Sequence, residues 1–359
     1  MTVEAAGYAI NGRFLTQTVT GVQRYAREVV SALDRNLAAS RRRSALIAPP
    51  TPRAMPRLSA IEIRSTPALG GHAWEQTMLP MAWRGPLLNL CNTAPVLAAS
   101  QIVCIHDTNV FGMPESYSWR FRALYRVLQP IIVRRAVRIA TVSHDAARQL
   151  ARHLPIALRD VVILPNGHEH ALRWTAAAAE VFRETPQSRP FVLLLASRAR
   201  HKNIGLVLGL AEGLEAIGVD ILVAGGDGSI FAGTDTVRAA NIRILGRVSD
   251  DDLALLFERA LCLAFPSLTE GFGLPVLEAM ALGCPVVSSD RSSLPEICGD
   301  AALMASPHDP DAWLRHLTAL AGSPALREDL RGRGRIQAAR YSWDRTAAGY
   351  ADLCGDMSG

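Results

Sequence analysis

The residues with the clearest chemical potential lie in the stretch from 266 to 279, which reads PSLTEGFGLPVLEA. Pro275 suits the first turn of a helix, and the free N–H groups of a helix start attract anions. Two glycines just before it allow a ligand to approach the backbone closely. The carboxylates of Glu270 and Glu278 stand eight positions apart, one in the loop and one in the helix. This combination suits a ligand that carries hydroxyls on both sides of a phosphate, such as a nucleotide sugar.

A second set of candidate residues surrounds Lys202, which is the single lysine in a chain that also holds 37 arginines. Lys202 lies in the segment 197–203, SRARHKN, directly after the apolar run Phe191–Leu195. An ammonium group at a helix start beside a strand end can hold a diphosphate as a point charge. Arg198 and Arg200 are weaker candidates for the same task. A solvated cationic loop is the alternative interpretation.

Two shorter motifs are weaker candidates in the first half of the chain. Gly21 begins a long predicted helix, where a small residue permits close approach of a phosphate or a sugar. His106 and Asp107 follow the apolar run Ile102–Ile105, and an imidazole there can exchange a hydrogen bond with a sugar hydroxyl. A structural histidine bonded to backbone is the alternative for His106.

Several other functions find no support in the sequence. The six cysteines form no CxxC pair and have no histidine at zinc spacing, which indicates reduced, mostly buried thiols and no metal site. The glycines at 225–228 do not match the dinucleotide-binding fingerprint. No apolar run reaches the roughly 18–20 residues of a membrane span, and the first ten residues do not resemble a secretory signal.

The candidate residues are placed by an alternation of short apolar runs with amphipathic stretches. This alternation predicts an α/β fold with parallel sheets that are covered by helices on both faces. The runs form two series, separated by a weakly patterned stretch near 180–190 that we interpret as a linker. We therefore expect one domain over 1–180, a second over 181–340, and a C-terminal helix over 341–359 that returns to the first domain. Ligands of such sheets bind beyond the carboxyl ends of the strands, so we expect the site in a cleft between the two domains.

Charge is distributed unevenly over the 359 residues, whose formal net charge is +5. Residues 1–170 hold 20 Arg and 10 Asp or Glu, whereas residues 171–359 hold 18 Lys or Arg and 23 Asp or Glu. The basic half could face an anionic membrane, a phosphorylated substrate or nucleic acid. The mixture of basic and aromatic residues over 119–126 supports a membrane contact and a solvated basic helix face equally well.

With these motifs, the sequence resembles the retaining glycosyltransferases of family 4. That family has the GT-B architecture of two Rossmann-like domains facing each other across a cleft. The strongest part of the resemblance is Glu270 to Glu278, which matches the E-x7-E signature of that family, including its inner GFG. Matching pieces elsewhere include 105–107, 141–143, 164–167, 202–203, 245–248 and 294–296. The pieces at 20–25, 72–76 and 91–93 resemble a bacterial mannosyltransferase-like branch.

The resemblance assigns roles to the matching positions. It implies catalytic roles for Glu270, Lys202 and His106, with Lys202 at the diphosphate and the other two at the donor sugar. It implies that Glu278 binds the ribose hydroxyls of the nucleotide. The remaining donor-binding positions that it implies are Gly271, Phe272, Gly273, Leu274, Arg247, Val248 and Gly21. A family arginine is replaced by Ser197, which leaves open whether Arg198 or Arg200 assists Lys202.

The implied activity is retaining, metal-independent hexosyl transfer without a cofactor, with mannose from GDP-mannose as our expectation for the donor. The implied acceptor is a glycan or a polyprenyl-diphosphate-linked glycan in cell-surface polysaccharide synthesis. We expect a cytoplasmic protein, either free or peripheral at the inner face of the membrane, that binds no nucleic acid. The alternatives are a nucleotide-sugar epimerase of the same fold and a non-catalytic protein that binds nucleic acid or membrane.

Overall fold

The computed structural model describes residues 4–50, 57–67, 69–197, 199–226 and 239–358. These residues divide into two compact units. Unit 1 comprises the described residues within 1–114, 118–167 and 342–359. Unit 2 comprises the described residues within 115–117 and 168–341.

Unit 1 is built on a seven-stranded parallel sheet. Its strands are β1 (Glu4–Asn11), β2 (Arg42–Ala48), β3 (Ile61–Ser65), β4 (Leu87–Asn89), β5 (Gln101–Cys104), β6 (Arg138–Thr141) and β7 (Val161–Ile163). Its helices are α1 (Gly21–Ala39), α2 (Gly71–Ala82), α3 (Asn109–Gly112), α4 (Trp119–Arg135), α5 (His144–His153) and the C-terminal α13 (Trp343–Ser358). The strand order is β3-β2-β1-β4-β5-β6-β7, so the order reverses between β1 and β4.

Unit 2 is built on a six-stranded parallel sheet. Its strands are β8 (Phe191–Leu195), β9 (Asp220–Ala224), β10 (Ile242–Gly246), β11 (Cys262–Phe265), β12 (Val286–Ser289) and β13 (Leu303–Ala305). Its helices are α6 (Ile204–Leu208), α7 (Ala211–Glu215), α8 (Asp250–Arg259), α9 (Leu274–Ala281), α10 (Leu294–Cys298), α11 (Pro310–Gly322) and α12 (Pro324–Ala338). The strand order is β10-β9-β8-β11-β12-β13.

The apolar composition of the central strands explains why they lie in the middle of each sheet. The residues of β11, Cys-Leu-Ala-Phe, are all buried, and Val192 to Leu194 of the neighbouring β8 are equally inaccessible. A parallel strand with helices on both faces is apolar along its whole length, because neither face meets water. Trp313 of α11 and Leu214 of α7 pack against this core and are fully buried.

The expected domain boundary was 180/181, whereas the division between the two units falls after Gly167. Residues 168–181 are part of unit 2, and hydrogen bonds that the sequence pattern did not reveal attach them to the rest of it. The Thr175 amide donates to the Asp251 carboxylate at 2.7 Å, and the Glu180 amide donates to Asp252 at 2.6 Å. The stretch near 180–190 that we interpreted as a linker also lies within unit 2, because the division falls before it.

The C-terminal helix α13 belongs to unit 1, where it packs beside α1. The hydroxyl groups of Tyr25 and Tyr350 are 2.9 Å apart, and both side chains are fully buried. Within the described residues, none of the helices combines the length and the apolar character that crossing a membrane requires.

Candidate functional site

The candidate site of unit 2 lies where the strand order of its sheet reverses. Strand β8 leads into the loop that carries Lys202, and β11 leads into the loop that carries Glu270. These two strands are neighbours, with Leu193 beside Leu263, and they mark the change in direction of the strand order. In open α/β sheets, ligands bind beyond the carboxyl ends of the strands at such a point. The topology therefore brings the two loops to the same edge of the sheet.

The loop after β11 leads into helix α9 through a sharp turn at Gly273. Gly273 precedes the helix and has a φ of +98°, a conformation that side chains with a Cβ rarely adopt. A Cβ at this position would also lie 2.7 Å from Cδ2 of Leu294. The helix begins at Leu274, one residue earlier than expected, and Pro275 occupies its first turn. Glycine is thus required at 273 both for the turn and for the space around it.

Two serines from the turn between β12 and α10 hold the loop from behind. The Ser293 hydroxyl, which is fully buried, donates to the carbonyl oxygen of Phe272 at 2.9 Å and lies 3.1 Å from that of Glu270. The Ser292 hydroxyl lies 2.8 Å from the Glu270 carbonyl oxygen. These contacts fix the backbone of Glu270, Gly271 and Phe272 independently of any ligand. No pattern in the sequence indicates these two serines, since they come 21 or 22 positions after their partners in the loop.

Lys202 and Glu270 form a direct ion pair. Their Nζ and Oε1 atoms are 2.6 Å apart, and the two side chains are 22% and 12% exposed. The ammonium group also lies 5.2 Å from the centre of the Phe265 ring, within reach of a cation–π contact. A backbone bond from the Leu268 amide to the His201 carbonyl, 2.7 Å long, joins the two loops. The structure therefore brings together the two residues that the sequence had singled out first.

Glu278 lies on α9 and is paired with a histidine that sequence reasoning missed. Its Oε1 atom is 2.8 Å from Nε2 of His170, and the two side chains are 7% and 1% exposed. The edge of the His170 ring meets Trp174 at a centroid distance of 5.5 Å. His170 lies 108 positions before its partner, so no spacing in the sequence could connect them.

Three further predicted residues of unit 2 lie toward the surface: Arg200 and Arg247 are exposed, and Val248 is half-buried. Arg247 and Val248 follow the edge strand β10, where Gly246 adopts a φ of +68°. Arg200 is exposed in the short turn that carries Lys202. Arg198 lies outside the described residues. Which arginine assists Lys202 therefore stays open.

Gly21 belongs to unit 1, where it is the first residue of α1. Thr20 precedes it and forms a reciprocal capping box with Gln23, which sets the start of the helix. A Cβ at Gly21 would meet no atom within 4 Å. The space beside this helix start is therefore open, and a small group could approach its backbone.

His106 also belongs to unit 1, and the structure shows it in a backbone contact. Its Nε2 atom is 2.8 Å from the carbonyl oxygen of Leu90, and its ring meets the edge of Tyr25 at 4.7 Å. Burial lowers the pKa of His106 to about 4, although the bond to Leu90 opposes this shift. The imidazole is therefore neutral near pH 7. This is the contact expected of a structural histidine, the alternative that the sequence left open.

Taken together, the described residues of unit 2 offer a cation, two carboxylates and a helix start. Within that part of the chain, and within the described part of unit 1, no group of three or more His, Cys, Asp and Glu side chains could hold a metal ion. Lys202 can stabilise negative charge on a phosphate, and the carboxylates can accept hydrogen bonds from hydroxyl groups. The arrangement is suited to a ligand that combines a phosphate with a polyol.

The comparison with protein families identifies this region. Residues 178–337 match the sequence model of the family described as "Glycosyl transferases group 1". Residues 178–337 are a glycosyltransferase group 1 domain. This domain contains the Lys202–Glu270 pair, Glu278 and the start of α9, whereas His170 lies just before it. The family resemblance predicted from the sequence is thereby confirmed.

Several curated relatives of the chain are named as mannosyltransferases. Over 107 residues, the chain is 48% identical to the O-antigen chain mannosyltransferase B of Escherichia coli, covering 30% of this chain and 28% of that protein. Over 257 residues, it is 24% identical to the O-antigen chain mannosyltransferase RfbU of Salmonella typhimurium, covering 70% of this chain and 68% of that protein. The chain thus matches little more than a quarter of the length of the first of these relatives.

Solved structures show the same fold along the whole chain. WaaG, a glycosyltransferase involved in lipopolysaccharide biosynthesis, superimposes with a TM-score of 0.70 at 14% identity, covering 98% of this chain and 99% of that one. The two parallel-sheet α/β units agree with this likeness. The GT-B fold class expected from the sequence is therefore confirmed.

Proposed function

We propose that this protein is a glycosyltransferase that moves a hexose from a nucleoside diphosphate sugar to a hydroxyl group of a glycan. The observation that carries this proposal is the contact of Lys202 with Glu270 beside the start of α9, inside a glycosyltransferase group 1 domain. A cation for the diphosphate and an acid for the sugar hydroxyls are thus adjacent. Both residues follow the carboxyl ends of the neighbouring strands β8 and β11, and open α/β sheets bind ligands at such an edge, which supports the proposal.

The chemistry follows from the charge that develops as the sugar leaves. Positive charge grows on the sugar ring while negative charge grows on the departing diphosphate. Lys202 and the free amides at the start of α9, including that of Leu274, stabilise the diphosphate charge. Glu270 and the backbone of Gly271 and Gly273 would hold the hydroxyls of the sugar. No metal ion or cofactor is assigned a role in this scheme.

The other donor-binding roles complete the proposed site. Glu278 would accept hydrogen bonds from the ribose hydroxyls, and Arg247 with Val248 would border the base. Gly21 would permit close approach of a phosphate to the start of α1, and its open surroundings support this role. We propose that the His106 imidazole contacts the donor sugar beside its bond to the Leu90 carbonyl.

The stereochemistry and the substrates rest on likeness. We propose retention of the anomeric configuration because the E-x7-E signature resembles that of retaining family 4. We propose mannose from GDP-mannose as the donor because two relatives are named as O-antigen chain mannosyltransferases. The same names support a glycan or polyprenyl-diphosphate-linked glycan as the acceptor, in the synthesis of a cell-surface polysaccharide.

The decisive experiment measures sugar transfer to a glycan acceptor by the purified protein from a panel of nucleotide sugars. We expect Lys202→Ala to lower the transfer rate by roughly a hundredfold or more, the usual cost of removing one group that stabilises developing charge. Lys202→Arg should restore part of the rate, because it returns a cation. The matched control is Arg315→Ala, which removes an exposed cation from α11 of the same unit.

The outcomes separate the proposal from its alternatives. The proposal is supported if Lys202→Ala loses sugar transfer while Arg315→Ala keeps it. Formation of an isomerised free nucleotide sugar without transfer would instead indicate an epimerase. Full activity of folded Lys202→Ala would refute the assignment of the diphosphate site.

We further propose that helix α4 brings unit 1 to an anionic membrane surface. Three apolar side chains of this helix are exposed, with Trp119 at 70%, Val127 at 61% and Leu124 at 38%. Exposed Arg120 and Arg126 lie among them. Apolar and basic side chains mixed on one helix face favour the interface of an anionic bilayer. This location would suit an acceptor attached to a lipid diphosphate.

Vesicle co-sedimentation tests the membrane proposal. We expect binding to vesicles of phosphatidylcholine with phosphatidylglycerol, weaker binding at high salt, and little binding to phosphatidylcholine alone. The double variant Arg120→Glu and Arg126→Glu should lose this binding. Arg315→Glu on α11 is the matched control and should retain it. Equal binding of both variants would remove the role of α4.

A further inference from the structure

We propose that His170 is a positioning residue that sets the preference of this enzyme for a ribonucleotide over a 2′-deoxyribonucleotide. Its imidazole holds the carboxylate of Glu278 in one orientation. The inference rests on the proposed function, in which Glu278 receives the ribose hydroxyls of the donor.

The hydrogen bond between the two side chains has a defined donor and a defined acceptor. Nε2 of His170 and Oε1 of Glu278 are 2.8 Å apart. A carboxylate can only accept hydrogen bonds, so Nε2 carries the proton and donates it. The imidazole therefore fixes one carboxylate oxygen and thereby the plane of the whole group.

Burial makes this donor important for the carboxylate. The Glu278 side chain is 7% exposed and that of His170 is 1% exposed. An ionised carboxylate that is buried without hydrogen bonds is strongly disfavoured, because it loses its hydration. The N–H of His170 replaces part of that hydration without contributing a second negative group. It lets the acid remain an acceptor in a nearly closed environment.

The backbone on both sides of His170 is tied to unit 2, which limits how far the imidazole can move. Nδ1 of His168 is 2.7 Å from the carbonyl oxygen of Tyr341. On the other side, the Thr175 amide donates to Asp251 at 2.7 Å. The rings of Trp174 and His170 are nearly perpendicular, with their centroids 5.5 Å apart. The chain thus presents His170 to α9 from a segment anchored before and after it.

A fixed carboxylate distinguishes ribose from deoxyribose because two neighbouring hydroxyl groups must meet it in one geometry. A site built to bind a hydroxyl rejects the analogue that lacks it, since the acceptor is then left unpaired. A carboxylate that can rotate finds another partner, and the penalty for the missing hydroxyl becomes smaller. Loss of His170 should therefore reduce the discrimination more than it reduces nucleotide binding itself.

The test compares the binding of GDP and 2′-deoxy-GDP by isothermal titration calorimetry, after GDP, UDP and ADP have been ranked on the unmodified enzyme. If another base binds more tightly, its ribo and deoxyribo diphosphates are used. The variants are His170→Gln, which returns an N–H near the position of Nε2, and His170→Asn and His170→Leu, which do not. The matched control is His316→Leu, because His316 of the same unit contacts the Met304 carbonyl instead of an acid.

We expect the unmodified enzyme and His316→Leu to prefer the ribonucleotide by about tenfold or more, as one hydrogen bond to a charged acceptor allows. His170→Gln should keep most of this preference, whereas His170→Asn and His170→Leu should reduce it to about twofold or threefold. Folding of each variant is checked by circular dichroism. If the Asn and Leu variants do not fold, ¹⁵N NMR of the unmodified enzyme decides, with His170→Gln assigning the signal. The His170 imidazole should then carry its proton on Nε2 and respond more to GDP than to 2′-deoxy-GDP.

The contrary results have distinct meanings. If none of the nucleoside diphosphates binds, the proposed function itself fails. If they bind and folded His170→Leu keeps the full preference, or the NMR response is equal for both sugars, the role of His170 is refuted while the proposed function stands. A lack of discrimination in the unmodified enzyme would also refute it.

Discussion

Replacing Glu270 by Gln should increase the affinity of the protein for a nucleoside diphosphate while decreasing sugar transfer. In the structure, the Lys202 ammonium that we assign to the diphosphate is bound to Glu270 at 2.6 Å. A diphosphate must therefore compete with this carboxylate for the same cation. The negative charge of Glu270 also opposes the approach of an anion. Glutamine keeps the shape of the side chain and removes both effects.

The size of the effect follows from the exposure of the pair. A hydrogen bond between charged groups contributes about 1.5–3 kcal/mol. Because Lys202 is 22% exposed and glutamine still accepts a neutral hydrogen bond, we take about 1.4 kcal/mol as the part that is released. This corresponds to roughly tenfold tighter binding. Transfer should fall, since the same substitution removes the charged acceptor proposed for the hydroxyls of the donor sugar.

The assay is calorimetric titration of GDP into the unmodified protein and the Glu270→Gln variant at low and high salt. The gain in affinity should shrink at high salt, because both the ion pair and the repulsion are screened. Glu258→Gln is the matched control, since it neutralises an exposed acid on α8 of the same unit. The control should change the affinity for GDP by less than about twofold.

One result would refute the reasoning directly. If Glu270→Gln binds GDP as weakly as the unmodified protein, or more weakly, the carboxylate is not a competitor for the cation. The pair would then be a structural contact of the two loops. An equal gain in Glu258→Gln would show that the effect is one of net charge, which also contradicts a local competition.

Three further predictions concern the framework of the two units. Ser293→Ala should lower the free energy of unfolding by about 1–3 kcal/mol in urea titrations, because the Phe272 carbonyl loses its buried hydroxyl donor. Gly273→Ala should cost about 1–3 kcal/mol or more, since φ is +98° and Leu294 lies in the way, and circular dichroism melting will show it. The contribution of His106 to the free energy of unfolding should fall by about 3 kcal/mol between pH 6.5 and pH 4, because buried His106 has a pKa of about 4 while the unfolded chain takes up the proton near 6.5. Urea titrations of His106→Gln should show this loss reduced.

The part of the site that could be predicted from sequence is the part that is local. Gly273 and Pro275 determine a turn and a helix start by themselves, so the loop before α9 was recognisable. Lys202 stood out because it follows a continuous apolar strand in a chain without other lysines. Parallel sheets then require both strand ends to reach the same edge, which explains the contact between Lys202 and Glu270.

Short elements escaped the sequence pattern for a different reason. Strands β4 and β13 have three residues each, too few to show a period. Two short helices, α6 and α7, follow the Lys202 turn and separate at Gly209. Glycine is a poor helix former, and the tertiary packing of Val207 and Leu214 is satisfied by two short segments as well as by one.

The residues that support the site could not be predicted from sequence, because their contacts join positions that are far apart along the chain. His170 and Ser293 each contact the loop or helix of the site from another part of unit 2, and neither lies in a motif that indicates its partner. The boundary after Gly167 was missed because part of what holds 168–181 in unit 2 is the binding of backbone amides to Asp251 and Asp252. Such bonds leave no periodic trace in the sequence.

The two glutamates of the signature therefore differ in kind, although the sequence presents them as a pair. Glu270 faces a cation and can exchange that partner for a ligand, since both groups retain access to water. Glu278 faces the N–H of a histidine in a nearly closed environment, and it can only add a partner. An acid that can exchange its partner suits the donor sugar, where the bond to the diphosphate breaks. An acid held in one orientation suits the ribose, which is bound but not changed by the reaction. The spacing of eight places one acid before the helix start and one inside the helix, and this position decides which of the two tasks each can perform.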